Sequence, residues 1–190
     1  APLEIVDCGA LSPTLIAPRV CDCCPTAAVK TMFGALVAYR DRSPEEVRDI
    51  SLVRGPDITD RTMSSKPAMA SEVAWGEPYP LHADGWKIAA CPVNGPAISA
   101  RGNDVAVAWF TVKDDLGMAL AAFSSDAGQT WTAPQRLDEA GSLGRVDIEL
   151  LEDGSAIASW VEYAGGKTDL RLRRIDRSGA KSAPQNIVPI

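Results

Sequence analysis

The chain has a single histidine, His82, three phenylalanines and three tyrosines among 190 residues, and 25 acidic residues outnumber its 19 basic ones. A net charge of −6 leaves no electrostatic footprint for a phosphate backbone or an anionic lipid surface, so nucleic acid is not an expected partner. No apolar run approaches the roughly 18 residues of a membrane span, because Asp, Arg, Pro or Gly interrupts every candidate. Also missing are a glycine-rich phosphate loop leading from strand to helix and a Gly-x-Ser-x-Gly elbow, and a Ser-His-Asp triad would have to recruit His82. The five cysteines, Cys8, Cys21, Cys23, Cys24 and Cys91, do not form two matched Cys-x-x-Cys pairs, which removes the zinc-ribbon reading. What is there, 46% hydrophobic and 23% charged residues, is the balance of a globular domain able to bury a core.

The chain starts Ala1-Pro2-Leu3, without Met and without a basic segment ahead of an apolar one, as in a processed or cut chain. Three cysteines within four residues fit an oxidising space, so an extracytoplasmic location, periplasmic or secreted, is expected.

Internal repetition is the strongest signal. Residues 35–42 (ALVAYRDR), 105–112 (VAVAWFTV) and 156–163 (AIASWVEY) superpose on their apolar, small and aromatic positions, which makes Tyr39, Trp109 and Trp160 equivalent. Each is a short apolar run bounded by polar turns, the pattern of a strand in a buried sheet. An upstream run precedes each one, at 26–29, 97–100 and 146–151, joined by Gly34, Gly102-Asn103-Asp104 and Glu152-Asp153-Gly154, residues suited to tight hairpins. A third run follows at 47–53, 118–124 and 170–175. Then come Trp75-Gly76-Glu77-Pro78, Trp131-Thr132-Ala133-Pro134 and Ser182-Ala183-Pro184, each leading into a short edge strand where proline is tolerated. Four antiparallel strands, repeated, describe a propeller blade. The expected units are residues 1–25, a remnant strand and lead-in loop; 26–84, a blade with a surface insertion at 56–71; 85–140; and 141–190. Residues 43–49 start like a capped helix but are too short for more than one turn.

The segment Ser124-Ser125-Asp126-Ala127-Gly128-Gln129-Thr130-Trp131 matches the Asp-box pattern Ser-x-Asp-x-Gly-x-x-Trp at every fixed position, a coincidence on the order of one in several hundred thousand from average residue usage. The motif is one of folding: Asp126 satisfies turn amides, Gly128 permits positive φ, and Trp131 packs back between sheets. On these residues the chain resembles the Asp-box propellers of the sialidase superfamily across about residues 26–190. The pairing of Cys21-Asp22-Cys23-Cys24-Pro25 with Cys91-Pro92 resembles a group of bacterial sialidase-like proteins. The resemblance implies an all-β, sialidase-like propeller segment of about three four-stranded blades, half of a six-bladed ring. Its closure would need a second copy or a further portion of chain.

In such a blade the connection from second to third strand and the loop leading into the first share one end, and the Asp-box turn lies at the other. The first end gathers Arg40, Asp41, Arg42, Arg48 and Asp49 with lead-in loops 21–25, 85–95 and 141–145. Cys24, Asn94 and Arg145 each stand 15 residues before the aromatic landmark, so they occupy equivalent points on successive blades. This is the mouth where propeller loops carry function. Arg40, Arg42, Arg48, Asn94 and Arg145 are candidate ligand-binding residues, and Asp41, Arg42, Arg145 and Asp147 candidate catalytic ones. For Cys21, Cys23, Cys24 and Cys91 three chemistries stand open: a disulfide from Cys91 to one of the other three, a thiolate site for copper or zinc with His82 as its only possible imidazole, or free thiols. For the charged residues the alternatives are salt-bridged blade ends and an arginine clamp on a ligand carboxylate.

Sialidases combine three arginines, an Asp acid/base and a Tyr nucleophile paired with Glu. No Phe-Arg-Ile-Pro signature occurs here, and Glu162-Tyr163 is the one adjacent pair ending a strand on the proposed face. The expected role is therefore an exported, noncatalytic ligand- or glycan-binding or assembly propeller. A sialidase-like glycoside hydrolase acting on acidic sugars is the alternative, and a soft-metal-binding protein the third.

Overall fold

A computed structural model describes residues 1–6, 13–55 and 75–189. Cys8 and the expected insertion at 56–71 lie outside the described residues. The fold is all-β, with no helix among those residues. The hairpin β1 (Leu3–Val6) and β2 (Pro13–Ala17) is followed by three four-stranded antiparallel sheets. The first contains β3 (Ala27–Thr31), β4 (Gly34–Arg40), β5 (Ile50–Arg54) and β6 (Tyr79–Pro80). The second contains β7 (Ala97–Arg101), β8 (Asp104–Lys113), β9 (Leu116–Ser124) and β10 (Gln135–Arg136), and the third β11 (Ser142–Leu150), β12 (Ala156–Ala164), β13 (Lys167–Ile175) and β14 (Gln185–Pro189). In every sheet the strands neighbour one another in chain order.

Tyr39, Trp109 and Trp160 all sit on the second strand of their sheets, each at most 1% exposed. Because side chains alternate across a strand, each landmark faces the preceding layer. Tyr39 packs with Val37 and Val53 against Ala17, Val20 and Ile5 of the hairpin layer. Trp109 packs with Val105 and Val107 against Leu36, Ile50 and Leu52. Trp160 packs with Ile148 and Leu150 against Ala106, Ala119 and Phe123. The first two sheets are thus covered on both faces, which is why β4 and β8 read as continuous apolar runs. On the third sheet β12 alternates instead, leaving Ile157 and Tyr163 exposed on its far side.

Several strand boundaries differ from the sequence expectation by two to four residues, and two of them have a local cause. The third strand of the first sheet begins at Ile50 rather than residue 47, because Ser43 closes a turn in which its amide donates to the Val47 carbonyl and its Oγ accepts the Val47 amide. Glu46 has φ +66° in that turn, which no helix could hold. The first strand of the third sheet starts four residues early, at Ser142, through two irregularities around Gly144.

Candidate functional site

The connections divide between two ends. At one end, the Arg48 amide donates to the Trp86 carbonyl at 2.8 Å, Asp49 accepts the amides of Gly85 at 2.9 Å and Trp86 at 3.2 Å, and the Cys21 amide donates to the Arg40 carbonyl at 3.0 Å. At the other, the Ala127 amide donates to the Asn103 carbonyl at 2.9 Å, the Met32 amide to the Gly102 carbonyl at 3.2 Å, and the Tyr79 hydroxyl to the Gly128 carbonyl. The Ser124–Trp131 turn belongs to this second end. Asp126 accepts the amides of Gln129 and Thr130 and the hydroxyls of Ser124 and Thr130, all within 2.9 Å, and these donors hold its carboxyl well below the usual range. Gly128, at φ +82°, leaves room for Leu36, and Trp131 packs into the layer between the first two sheets. Asp176 repeats the arrangement between β13 and β14, accepting the amides of Ser178 and Ala180.

Cys24 and Asn94 come from two lead-in loops and Arg145 from the irregular start of β11, and the three segments touch in series. Gly95 lies so close to Pro25 that a Cβ there would be 2.0 Å from the Pro25 carbonyl oxygen. Asn94 Oδ1 accepts the Arg145 amide at 3.0 Å, and the Arg145 guanidinium donates to the Val93 carbonyl at 3.3 Å. Gly144, at φ +87°, lets Asn94 settle against the start of β11.

The cysteines meet at the junction of the first two loops. Cys23 is bonded to Cys91, 68 positions away, and Cys21 to Cys24, three positions away. Cys21 Sγ lies 3.6 Å from Cys23 Sγ, and the sulfurs of Cys21, Cys23 and Cys24 all fall within 4.8 Å of one another. Adjacent Cys23 and Cys24 can share a site only in a turn, and residues 22–23 form one. His82 does not join them: its Nδ1 pairs with Asp84 at 2.8 Å, whose other oxygen accepts Trp109 Nε1 at 2.7 Å.

The candidate arginines divide by burial. Arg40 is 1% exposed; its guanidinium donates to the carbonyls of Asn94 at 2.5 Å, Phe110 at 2.6 Å and Arg48, and stacks on Trp86 at 5.0 Å. Burial pulls it down to about 10 against the opposing pull of Asp84 and Asp49. It ties the two loops carrying Arg48 and Asn94 to β8 and, buried, presents no free donor face to a ligand. Arg42 grips Glu46 through Nε and Nη2 at 3.0–3.2 Å, Arg48 reaches the same carboxylate at 2.7 Å, and Arg19 completes the set. These donors, Arg42 first, hold Glu46 at about 2. Arg42 also faces Asp22 at 3.5 Å.

Among the candidate acids, Asp41 accepts the Arg42 amide at 2.8 Å and the Ser51 hydroxyl at 3.4 Å, while Asp147 accepts the amide of Ile148 at 2.9 Å. Among the described residues no hydrogen bond or ion pair joins either of them to Arg145. Glu162 and Tyr163 point to opposite faces: Glu162, 2% exposed, accepts Trp160 Nε1 at 2.9 Å and pairs with Arg171, whereas Tyr163 is 54% exposed. Sequence reasoning missed Arg19, Asp22 and Glu46. The i, i+4 spacing of Arg42 and Glu46 is the one local signal that could have found the clamp. A concavity of about 370 Å³ lies away from this site, beside the Ser124–Trp131 turn, lined by Arg54, Glu77, Tyr79 and Gln129. The Tyr79 hydroxyl there is committed to the Gly128 carbonyl, and the converged loops, where the charged side chains meet, are the candidate site.

Compared with known protein families and with curated proteins, the chain matches none.

Proposed function

We propose that this chain is an extracytoplasmic, noncatalytic propeller arc that binds an acidic ligand, such as an acidic glycan, at the end where its lead-in loops converge. One observation carries the reading: three guanidiniums, from Arg19, Arg42 and Arg48, close on the single carboxylate of Glu46. A clamp that holds the chain's own carboxylate has the charge and fork geometry to hold a ligand's. Glu46 then stands in for the ligand carboxylate and is its resident competitor. The noncatalytic reading is favoured over a glycoside hydrolase because Glu162 and Tyr163 lie on opposite faces and so form no nucleophile pair.

The propeller reading is supported by the serial stacking, each landmark residue against the preceding layer. The uncovered far side of the third sheet, with Ile157 and Tyr163, would take the next blade from a second copy or a further portion of chain.

The test is amide-resolved titration with N-acetylneuraminate and glucuronate, with glucose as the neutral control. Acidic sugars should shift the amides of residues 42–48 and 93–95, and Glu46→Gln should tighten binding severalfold by vacating the clamp. A fluorogenic sialoside should turn over no faster than in buffer. Shifts confined to the Ser124–Trp131 end, or equal shifts with glucose, would overturn the reading.

A further inference from the structure

We propose that, once its two disulfides are reduced, the cluster of Cys21, Cys23, Cys24 and Cys91 takes one thiophilic d10 cation, Zn2+ or Cu+, through sulfur alone. This goes beyond the acidic-ligand reading and uses different atoms.

Three sulfurs, those of Cys21, Cys23 and Cys24, lie within 4.8 Å of one another, and Cys91, 68 positions further along the chain, brings the fourth to Cys23. The 3.6 Å separation of Cys21 Sγ and Cys23 Sγ matches the edge of a tetrahedron built on metal–sulfur bonds of about 2.3 Å, which is about 3.8 Å. Their gathering does not depend on the sulfur–sulfur bonds. The Cys21 amide is tied to the Arg40 carbonyl, Arg40 Nε to the Asn94 carbonyl at 2.5 Å, and Gly95 packs directly on Pro25. These contacts, none of them through sulfur, keep both loops in register after reduction, so the ligands stay preorganised. Cys21 is buried and Cys91 exposed, which gives the site a dry floor and an open side. Arg42, against Asp22 between Cys21 and Cys23, places positive charge beside the loop that carries three of the thiolates. Soft thiolates select Zn2+ and Cu+ over hard cations. His82 is withheld by Asp84, so the ligand set is sulfur only.

The chemistry balances with an external dithiol as reductant. Two dithiol molecules each give two electrons and two protons to one disulfide, become cyclic disulfides themselves, and leave four Cys thiols. Those thiols lose their protons to solvent as the cation binds. The oxidised protein is then stapled and metal-free, and the reduced one chelates.

The experiment takes the full chain, oxidised or fully reduced with dithiothreitol under argon, adds ZnCl2 or a Cu+–acetonitrile complex, and desalts. Metal per chain is read by elemental analysis, thiols by a chromogenic disulfide, and fold by far-ultraviolet circular dichroism. One equivalent of either ion on the reduced protein, none on the oxidised, with apparent affinity at least tenfold weaker for Cys91→Ser and for Cys24→Ser and unchanged for Cys8→Ser and His82→Ala, is the expected result. The proposal is overturned if the reduced, folded protein retains neither ion, if the oxidised form retains as much, or if His82→Ala matters as much as Cys91→Ser. Should Cys91→Ser fail to fold, Cys24→Ser and the thiol count of the metal-loaded wild type decide: four thiols must become unreactive.

Discussion

The two disulfides should differ sharply in what they contribute to stability. Cross-linking stabilises a fold mainly by removing conformations from the unfolded chain, and the effect grows with the loop closed. Cys23–Cys91 spans 68 positions and Cys21–Cys24 spans three, which gives about 4 kcal/mol for the first and about 2 kcal/mol for the second. Pairwise replacement is cleaner than single substitution, because a lone thiol left 3.6 Å from a neighbouring disulfide sulfur invites exchange. The comparison is therefore Cys23→Ser with Cys91→Ser against Cys21→Ser with Cys24→Ser, both oxidised. At a urea dependence of about 2 kcal/mol per molar, the midpoints should fall by about 2 M and about 1 M respectively. The long-range pair should also raise hydrogen exchange where loops 21–25 and 91–95 meet. Equal losses, or a larger one for the short-range pair, would show that the bonds act through native geometry and not through the unfolded chain.

Arg40→Met removes the donor that satisfies three carbonyls and should cost about 3 kcal/mol or more, whereas Arg145→Met, on an exposed residue, should cost under about 1 kcal/mol; comparable losses in thermal or urea unfolding would refute the bracing role of Arg40. Gly128→Ala, with its Cβ 2.8 Å from Leu36, should lose about 2 kcal/mol or more, and Gly154→Ala, at a similar φ but in open space, about 1 kcal/mol, so equal urea midpoints for the two variants would remove the Leu36 contact from the account. Glu46 sits at about 2 in the folded chain against an ordinary 4.5, so its contribution is whole above about pH 4.5 and fades as pH falls toward 2. The urea-midpoint advantage of wild type over Glu46→Gln should shrink across that window, and a gap independent of pH would show that the clamp does not act through charge.

Much of the fold was legible. The aromatic landmarks Tyr39, Trp109 and Trp160 marked the second strand of each four-stranded sheet because a core-facing apolar run bounded by Gly and Asp leaves few other conformations. The same register brought Cys24, Asn94 and Arg145 onto touching segments, because equal spacing from equivalent strands places residues at one end of successive sheets. Side-chain partners were much less legible. Arg40 read as a ligand-binding arginine, yet it is buried under Trp86, which is 46 residues away in sequence. Arg19 stands far from Glu46 along the chain and meets it only because the hairpin layer packs on the first sheet.

Strand identity, strand order and the sorting of turns between two ends follow from the chain alone, because alternation, turn residues and spacing act over a few residues at a time. Which cysteine meets which, which arginine braces the backbone and which grips a carboxylate, and which sheet face stays uncovered were decided only when the layers stacked. Those outcomes depend on distances between segments tens of residues apart, and no local pattern encodes such distances.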